Sequence, residues 1–293
     1  MMLWLVRVAW ASLPITAGPA AARAVEGWST PPRVVAEVLL WAAWAVALVA
    51  LLAPRPVGLT IVRVVAPSFV VLAAVVFVTG AADALEAGAA LAATLVAATL
   101  ALAVPAVAIA CANGVAYGDE RRYPLRTPPS LWIGLLPLAP LIVAAGLAAG
   151  PLLLADGRIL SGIVALVVGV PAAAFAARSL HALSRRWVVL VPAGLVLVDP
   201  LTLPDPVLFT RERIHSLRAM QRGEGAPTGA LDLRLGATID SMALMLDRPT
   251  EFLQARRGRR ASIPVNTIDI RFAAIQGNEL LTTAATRRIR VNL

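Results

Sequence analysis

The sequence predicts an α-helical membrane bundle of about six transmembrane helices, followed by a mainly-β, water-facing domain that ends in a short helix. Three observations predict it. The 293 residues are 59% hydrophobic and only 15% charged, and the mean hydropathy is +0.80, far above a soluble globular chain. Apolar runs long enough to cross a bilayer recur as far as about residue 180. From Arg178-Ser-Leu-His-Ala-Leu-Ser-Arg-Arg-Trp187 onward they give way to short alternating segments with a charge every few residues. This places a transmembrane domain at 1–184 and a β domain at 185–293.

About 20 apolar residues cross the hydrocarbon core as a helix. Six stretches reach that length: 2–22, 33–53, 59–80, 85–112, 131–154 and 159–180. The first is interrupted by Arg7, Pro14, Gly18 and Pro19, and Ala22-Arg23-Ala24 resembles a signal-peptidase site. Its basic leading region is thin, so a retained helix is favoured over a cleaved leader.

Arginines in the connections set the orientation. One set of loops carries Arg55, Arg121, Arg122, Arg126, Arg178, Arg185 and Arg186; the other carries Arg23, Arg33 and Arg158, with Asp83, Glu86 and Asp156. The first set is therefore expected in the cytoplasm. Both termini and the β domain follow it, in a multi-pass protein of the cell (inner) membrane.

All 26 basic residues are arginine, a bias that lowers the weight of any single Arg cluster. Net charge is +9: residues 1–180 hold 10 Arg against 7 acids, and residues 181–293 hold 16 against 10. A basic soluble half suits an anionic partner such as a phospholipid surface. Nucleic acid is not the expected partner. The lone Cys111 excludes a disulfide within the chain and a thiolate cluster.

Ionisable groups in the spans are few. Arg63 can snorkel to headgroups, and Glu37, Asp83 and Glu86 lie near outer helix ends, so no chain of buried carboxylates marks an ion path. Pro67, Pro105, Pro137, Pro140 and Pro171 are expected to bend helices rather than mark binding sites. Gly146-Leu-Ala-Ala-Gly150 is a small-xxx-small pattern that lets helix backbones approach, so Gly146 and Gly150 are helix-packing candidates. Trp28, Trp132, Trp187, Tyr117 and Tyr123 fall near span ends, where amphipathic rings sit well. The polar stretch Tyr117–Ser130 is expected to be a solvated linker.

In the soluble half, Trp187-Val-Val-Leu-Val191, Pro192-Ala-Gly194 and Leu195-Val-Leu-Val-Asp199 read as a β-hairpin, because the uncharged run is too short to span. Leu231–Leu235 and Ile268–Phe272 alternate apolar and charged residues, as half-wet strands do. Val207–Phe209, Ile214–Leu217 and Ser241–Leu246 are further strands. Asn278–Arg288 reads as a closing amphipathic helix with Asn278 as its cap.

The strand, the Pro-Ala-Gly194 turn, the strand ending at Asp199, then Phe209-Thr-Arg-Glu-Arg-Ile214 resemble the opening of bacterial pleckstrin-homology-like (PH-like) domains. The resemblance covers about 185–290; the tryptophan often found before the isoleucine-bearing strand is replaced by Glu212 or its neighbours. It implies a PH-like sandwich or barrel with a terminal helix, and a scaffold or regulatory role rather than catalysis. The helical part resembles no family.

No P-loop, Gly-x-Ser-x-Gly elbow or HExxH is present. His181 and His215 have no Cys or carboxylate cluster at ligand spacing, so neither catalytic residues, metal nor cofactor is expected. Arg256-Arg-Gly-Arg-Arg260 is the sharpest functional feature: Arg256, Arg257, Arg259 and Arg260 could dock on anionic headgroups at about 1 kcal/mol each, pairing bidentately with phosphate. A solvated loop in an arginine-biased chain is the competing reading. The expected function is a scaffold or regulatory module binding protein or anionic lipid. The alternative is a small-molecule transporter or channel with a regulatory cytoplasmic domain, using Ser68, Thr94, Thr99 and Asn113. A membrane enzyme would need clustered acids at one interface, for which only Asp119-Glu120 come close.

Overall fold

A computed structural model describes residues 1–221, 223–255 and 262–292. Contacts divide the chain into two compact units, each discontinuous in sequence. One is Met1–Cys111 with Gly134–His181, the other Ala112–Ile133 with Ala182–Leu293.

The first unit is helical: α1 (Met2–Ala11), α2 (Leu13–Thr16), α3 (Gly18–Ala24), α4 (Thr30–Leu52), α5 (Pro56–Thr79), α6 (Ala84–Ala103), α7 (Pro105–Asn113), α8 (Leu135–Ala155) and α9 (Ile159–Ser184). Among the described residues, five helices are long and apolar enough to cross a membrane: α4, α5, α6, α8 and α9. The expected first span is not one helix. Pro14 stands in the first turn of α2 and Pro19 in that of α3, where a ring without an N–H is tolerated at a helix start but not in its interior.

The expected span 85–112 is likewise two helices. Val104 is extended, with ψ 115°, because the ring of Pro105 disfavours helical backbone in the residue before it. Pro105 therefore breaks the helix rather than bending it, whereas Pro67, Pro140 and Pro171 lie within α5, α8 and α9. Gly80 ends α5 with φ +64°, and the next amide, Ala81, reaches back to the Val76 carbonyl. This left-handed close is one that glycine adopts without a side-chain penalty.

Val6, Trp10 and Leu13 of the N-terminal pieces are buried in one cluster with Ala47, Leu51, Val62, Ala66, Ala97 and Ala101. Pro14 cannot supply the amide that would bond the Trp10 carbonyl, and the Trp44 indole of α4 donates to it instead at 3.0 Å, while the Trp10 indole donates to the Trp44 carbonyl at 3.1 Å. At one end of the segment Arg7 donates to the Leu51 carbonyl in the last turn of α4, at 3.0 Å. At the other, Arg23 pairs with Glu86 in the first turn of α6, at 2.6 Å. Large apolar side chains including Val78, Leu85 and Phe175 face outward, as on a body solvated by lipid.

The second unit carries two sheets and a helix. The first sheet runs β1 (Arg121–Pro124), β2 (Trp187–Val191), β3 (Gly194–Val198) and β4 (Val207–Thr210), all antiparallel. The second comprises β5 (Ile214–Ala219), β6 (Leu231–Asp232), β7 (Ser241–Ala255), β8 (Ser262–Ala273) and β9 (Val291–Asn292), in the order β6-β8-β7-β5-β9. Its centre is antiparallel and its two edge pairings are parallel. Helix α10 (Gly277–Thr286) adds Leu280, Leu281 and Ala284 to a core that takes Leu190, Leu195 and Leu197 from one sheet and Ile214, Leu244, Ile270 and Phe272 from the other.

The β2–β3 turn brings Gly194 against β4. A Cβ there would stand 2.1 Å from the Phe209 carbonyl oxygen, which requires glycine at this position.

Three details of the second unit depart from expectation. Tyr117–Ser130 is not a solvated linker, since its centre is β1. The strand expected over 231–235 is only two residues long, and Leu235 takes φ +52° ahead of Gly236. The closing helix begins at Gly277, two residues earlier than a cap at Asn278 would place it, with Gln276 in left-handed backbone at the N-cap position.

Candidate functional site

Two constructions in the second unit concentrate its polar chemistry. The first holds β1. Its register pairs Arg121 with Leu190 and Pro124 with Trp187, and its flanks continue the pairing: Leu125 N–H donates to the Arg186 carbonyl at 3.0 Å, Arg126 N–H to Ala273 at 2.8 Å, and Ile275 N–H to Pro124 at 2.8 Å. Asn113 closes the near end by exchanging two bonds with the Arg122 backbone, at 2.8 and 2.9 Å. Side chains bind the strand to α10: Tyr123 donates to Thr283 at 2.8 Å, and Arg121 pairs with Glu279 at 2.8 Å. Arg287 donates to the carbonyls of Leu190 and Asp119, and Arg126 pairs with Asp240.

Beneath the strand lies a fully buried ion pair. Arg186 meets Asp199 through two parallel bonds of 2.7 and 2.8 Å, with side chains 1% and 0% exposed. Two of its other three donors go to the carbonyls of Arg126 (2.9 Å) and Leu233 (3.1 Å), and Asp199 also accepts from Leu201 N–H at 3.1 Å. A buried guanidinium is tolerable only when its donors are spent in this way.

The second construction is a charged row across the five-stranded sheet. Register places Arg218 of β5 and Arg271 of β8 on either side of Ala243 of β7, with Asp232 of β6 beyond Arg271. The small Ala243 leaves both guanidiniums free to converge on Glu224. Arg218 grips that carboxylate at 2.9 and 2.5 Å and Arg271 reaches it at 3.3 Å, with Gln221 N–H adding a bond at 3.0 Å. The Arg218 guanidinium above all holds the Glu224 carboxyl down at about 2.

Arg234 pairs with Asp232 at 2.7 and 3.0 Å and donates to the Glu224 carbonyl at 3.3 Å. Burial pushes Asp232 up, but the bonds from Arg234 outweigh it, so the carboxyl lies below its usual range. Arg271 also holds Asp269 at 2.5 Å. Among the described residues, buried Asp269 Oδ1 and Arg271 Nε have no hydrogen-bond partner. A cavity of about 240 Å³, lined by Gln221, Gly223, Glu224, Asp232, Arg234 and Thr238 among others, opens beside Glu224.

No family model, curated protein or solved structure matches this chain.

The arginines singled out in the sequence, Arg256, Arg257, Arg259 and Arg260, lie outside the described residues, between paired Ala255 and Ser262. Gly146 lies against Gly169 of α9: a Cβ on Gly146 would stand 2.3 Å from the Gly169 carbonyl oxygen, and one on Gly150 would stand 2.5 Å from the Leu166 side chain.

His181 meets the Thr60 hydroxyl at 3.0 Å. Exposed His215 meets Asp247 at 3.0 Å, and no group of three metal-ligating side chains occurs among the described residues. The four polar residues of the transporter alternative have separate surroundings. Ser68 and Thr94 donate to carbonyls of their own helices, Thr99 is exposed, and Asn113 binds the Arg122 backbone. Of the pair Asp119 and Glu120, Glu120 is bound by Arg122 at 2.9 Å, which lowers its pKa.

Sequence reading missed Arg186–Asp199 and the Glu224 cluster. The available signal was an arginine and an aspartate at the two ends of a hairpin buried on both faces, where a charge needs a partner.

Proposed function

We propose that the chain is a multi-pass protein of a bacterial inner membrane whose PH-like domain, on the cytoplasmic side, is a scaffold or regulatory binding module for protein or anionic lipid, with no catalysis of its own. The observation that carries this is β1: the connection between α7 and α8 is an edge strand of the sheet-rich unit. The chain passes between its two units three times, after Cys111, Ile133 and His181. The sheet-rich unit is thus built partly from an interhelical connection. Two antiparallel-centred sheets with a C-terminal helix packed into their core support the PH-like reading.

The membrane region crosses six times. The N-terminal segment, tied to the last turn of α4 through Arg7 and to the first turn of α6 through Arg23, supports a sixth crossing made of three pieces. Sidedness follows from the arginine bias. It agrees with β1 and β2 sharing a sheet, since α8 and α9 between them return the chain to the face it left. The arginines of 256–260 give the cytoplasmic domain its contact with anionic headgroups.

Single cysteines test this placement in a Cys111→Ala background. Asp119→Cys and Thr228→Cys are expected to resist a membrane-impermeant maleimide in intact cells, while Ala81→Cys and Asp156→Cys react; the reverse pattern overturns the orientation. Replacing the four arginines with Gln in the full chain, held in neutral nanodiscs, is expected to weaken its binding to phosphatidylglycerol vesicles; unchanged binding removes the lipid contact.

A further inference from the structure

The Glu224 cluster has the geometry of an occupied oxyanion site. Arg218 presents two parallel donors to a planar carboxylate, the arrangement in which guanidinium also takes a phosphate, and a second guanidinium, Arg271, points at the same oxygen. Arg271 is 3% exposed, so no outside anion reaches it while Glu224 is in place. Three further features distinguish this from a plain surface ion pair.

Glu224 lies between Gly223, with φ +88°, and Gly225, and neither glycine has a neighbour within 4 Å of where a Cβ would stand. The carboxylate is thus carried between two residues that stand in open space, and what holds it is the set of bonds from Arg218, Arg271, Gln221 and Arg234. Charge balance depends on it: with Glu224 withdrawn, Arg218, Arg234 and Arg271 face only Asp232 and Asp269, and one added anion restores neutrality. The cavity beside it, about 240 Å³ and lined by Glu224 and Arg234 but not by Arg218 or Arg271, is smaller than the roughly 300–1,000 Å³ of drug-sized ligand sites, and leaves room beside the carboxylate for a small group.

We propose that Arg218, Arg271 and Arg234 form a binding site for a phosphate-type group, closed in this conformation by the chain's own Glu224, which stands where the ligand's oxyanion goes. Binding expels Glu224 and frees the loop 223–230, so the site reports phosphate by releasing a segment of the domain. The proposal is independent of headgroup docking through 256–260 and uses none of those residues.

The test uses the full chain in phosphatidylcholine nanodiscs, titrated with inorganic phosphate in one arm and with water-soluble dihexanoyl phosphatidic acid in the other. Glu224→Gln is expected to bind at least one probe about tenfold more tightly than the native chain, and adding Arg271→Met is expected to remove the gain. A gain in both arms assigns the site to the phosphoryl group itself, from any source; a gain with the lipid alone assigns it to a headgroup. In the native chain, saturating probe is expected to raise hydrogen exchange in 223–230. No gain in either arm, a gain that survives Arg271→Met, or no change of exchange in 223–230 overturns the proposal. If Glu224→Gln fails to fold, Glu224→Asp, which keeps the charge but retracts the carboxylate, carries the same comparison.

Discussion

Asp199→Asn probes the buried pair that underlies β1. The side chain keeps its volume, but the Arg186 guanidinium, 1% exposed, loses its counter-charge, and one amide donor now faces two others. Removing one partner of a buried pair costs about 3–5 kcal/mol. The lower end is expected here, because the carbonyls of Arg126 and Leu233 still accept from Arg186. At about 1.4 kcal/mol per tenfold, amides that depend on the pair lose protection by roughly a hundredfold or more.

Hydrogen exchange of the full chain in nanodiscs reads this at Leu125 and Arg126, whose N–H groups bond to Arg186 and Ala273. Asp199→Leu combined with Arg186→Met is expected to recover only part of the loss, since two buried carbonyls then lack their donor. Protection at Leu125 and Arg126 within threefold of the native value in Asp199→Asn would refute the reasoning.

Acid is expected to loosen the Glu224 loop. The carboxyl sits at about 2 in the folded chain against an ordinary 4.5, so its contribution is present above about pH 4.5 and is lost as pH falls toward 2; limited proteolysis between 221 and 230 at pH 5 and pH 3 reads this. Gly146→Ala is expected to destabilise the bundle by about 1–3 kcal/mol through overpacking against Gly169, measured by thermal unfolding in detergent. Gly88→Ala, whose Cβ would meet only Phe77 at 3.8 Å, is expected to be neutral. Trp44→Phe removes the indole bond to the Trp10 carbonyl, which keeps a backbone N–H donor at the end of α1, at about 0.5–1.5 kcal/mol; Pro14→Ala restores a helical amide, and the double variant is expected to be more stable than Trp44→Phe alone.

Elements formed by local sequence were readable in advance. Apolar length alone marked α4, α5, α8 and α9, and the Pro-Ala-Gly194 turn between two apolar runs marked the β2–β3 hairpin. What could not be read depends on partners distant in sequence. Arg121-Arg-Tyr-Pro-Leu125 offers two apolar residues among charges, and becomes a strand only because Trp187–Leu190 is there to pair with it. Strands β7 and β8 outrun their alternating cores, because pairing carries the ladder past Pro249 and Pro264, where propensity alone would stop it.

Arg186 and Arg271 were hidden by abundance. In a chain whose only basic residue is arginine, composition does not separate a buried guanidinium from a surface one. The sequence drew attention to the arginine run at 256–260, while the described convergence of guanidiniums is at Glu224, assembled from β5, β8 and the loop between β5 and β6.

Residues 112–133 complete the sheet formed by the C-terminal part of the chain. Cross-strand disulfides in native membranes test it most directly. With Cys111→Ala as background, Arg121→Cys combined with Leu190→Cys, opposed in register, is expected to crosslink within single chains under mild oxidation. Arg121→Cys with Val198→Cys, which are not register partners, is expected to stay reduced. Absence of the first bond, or equal yield from both pairs, would contradict the account.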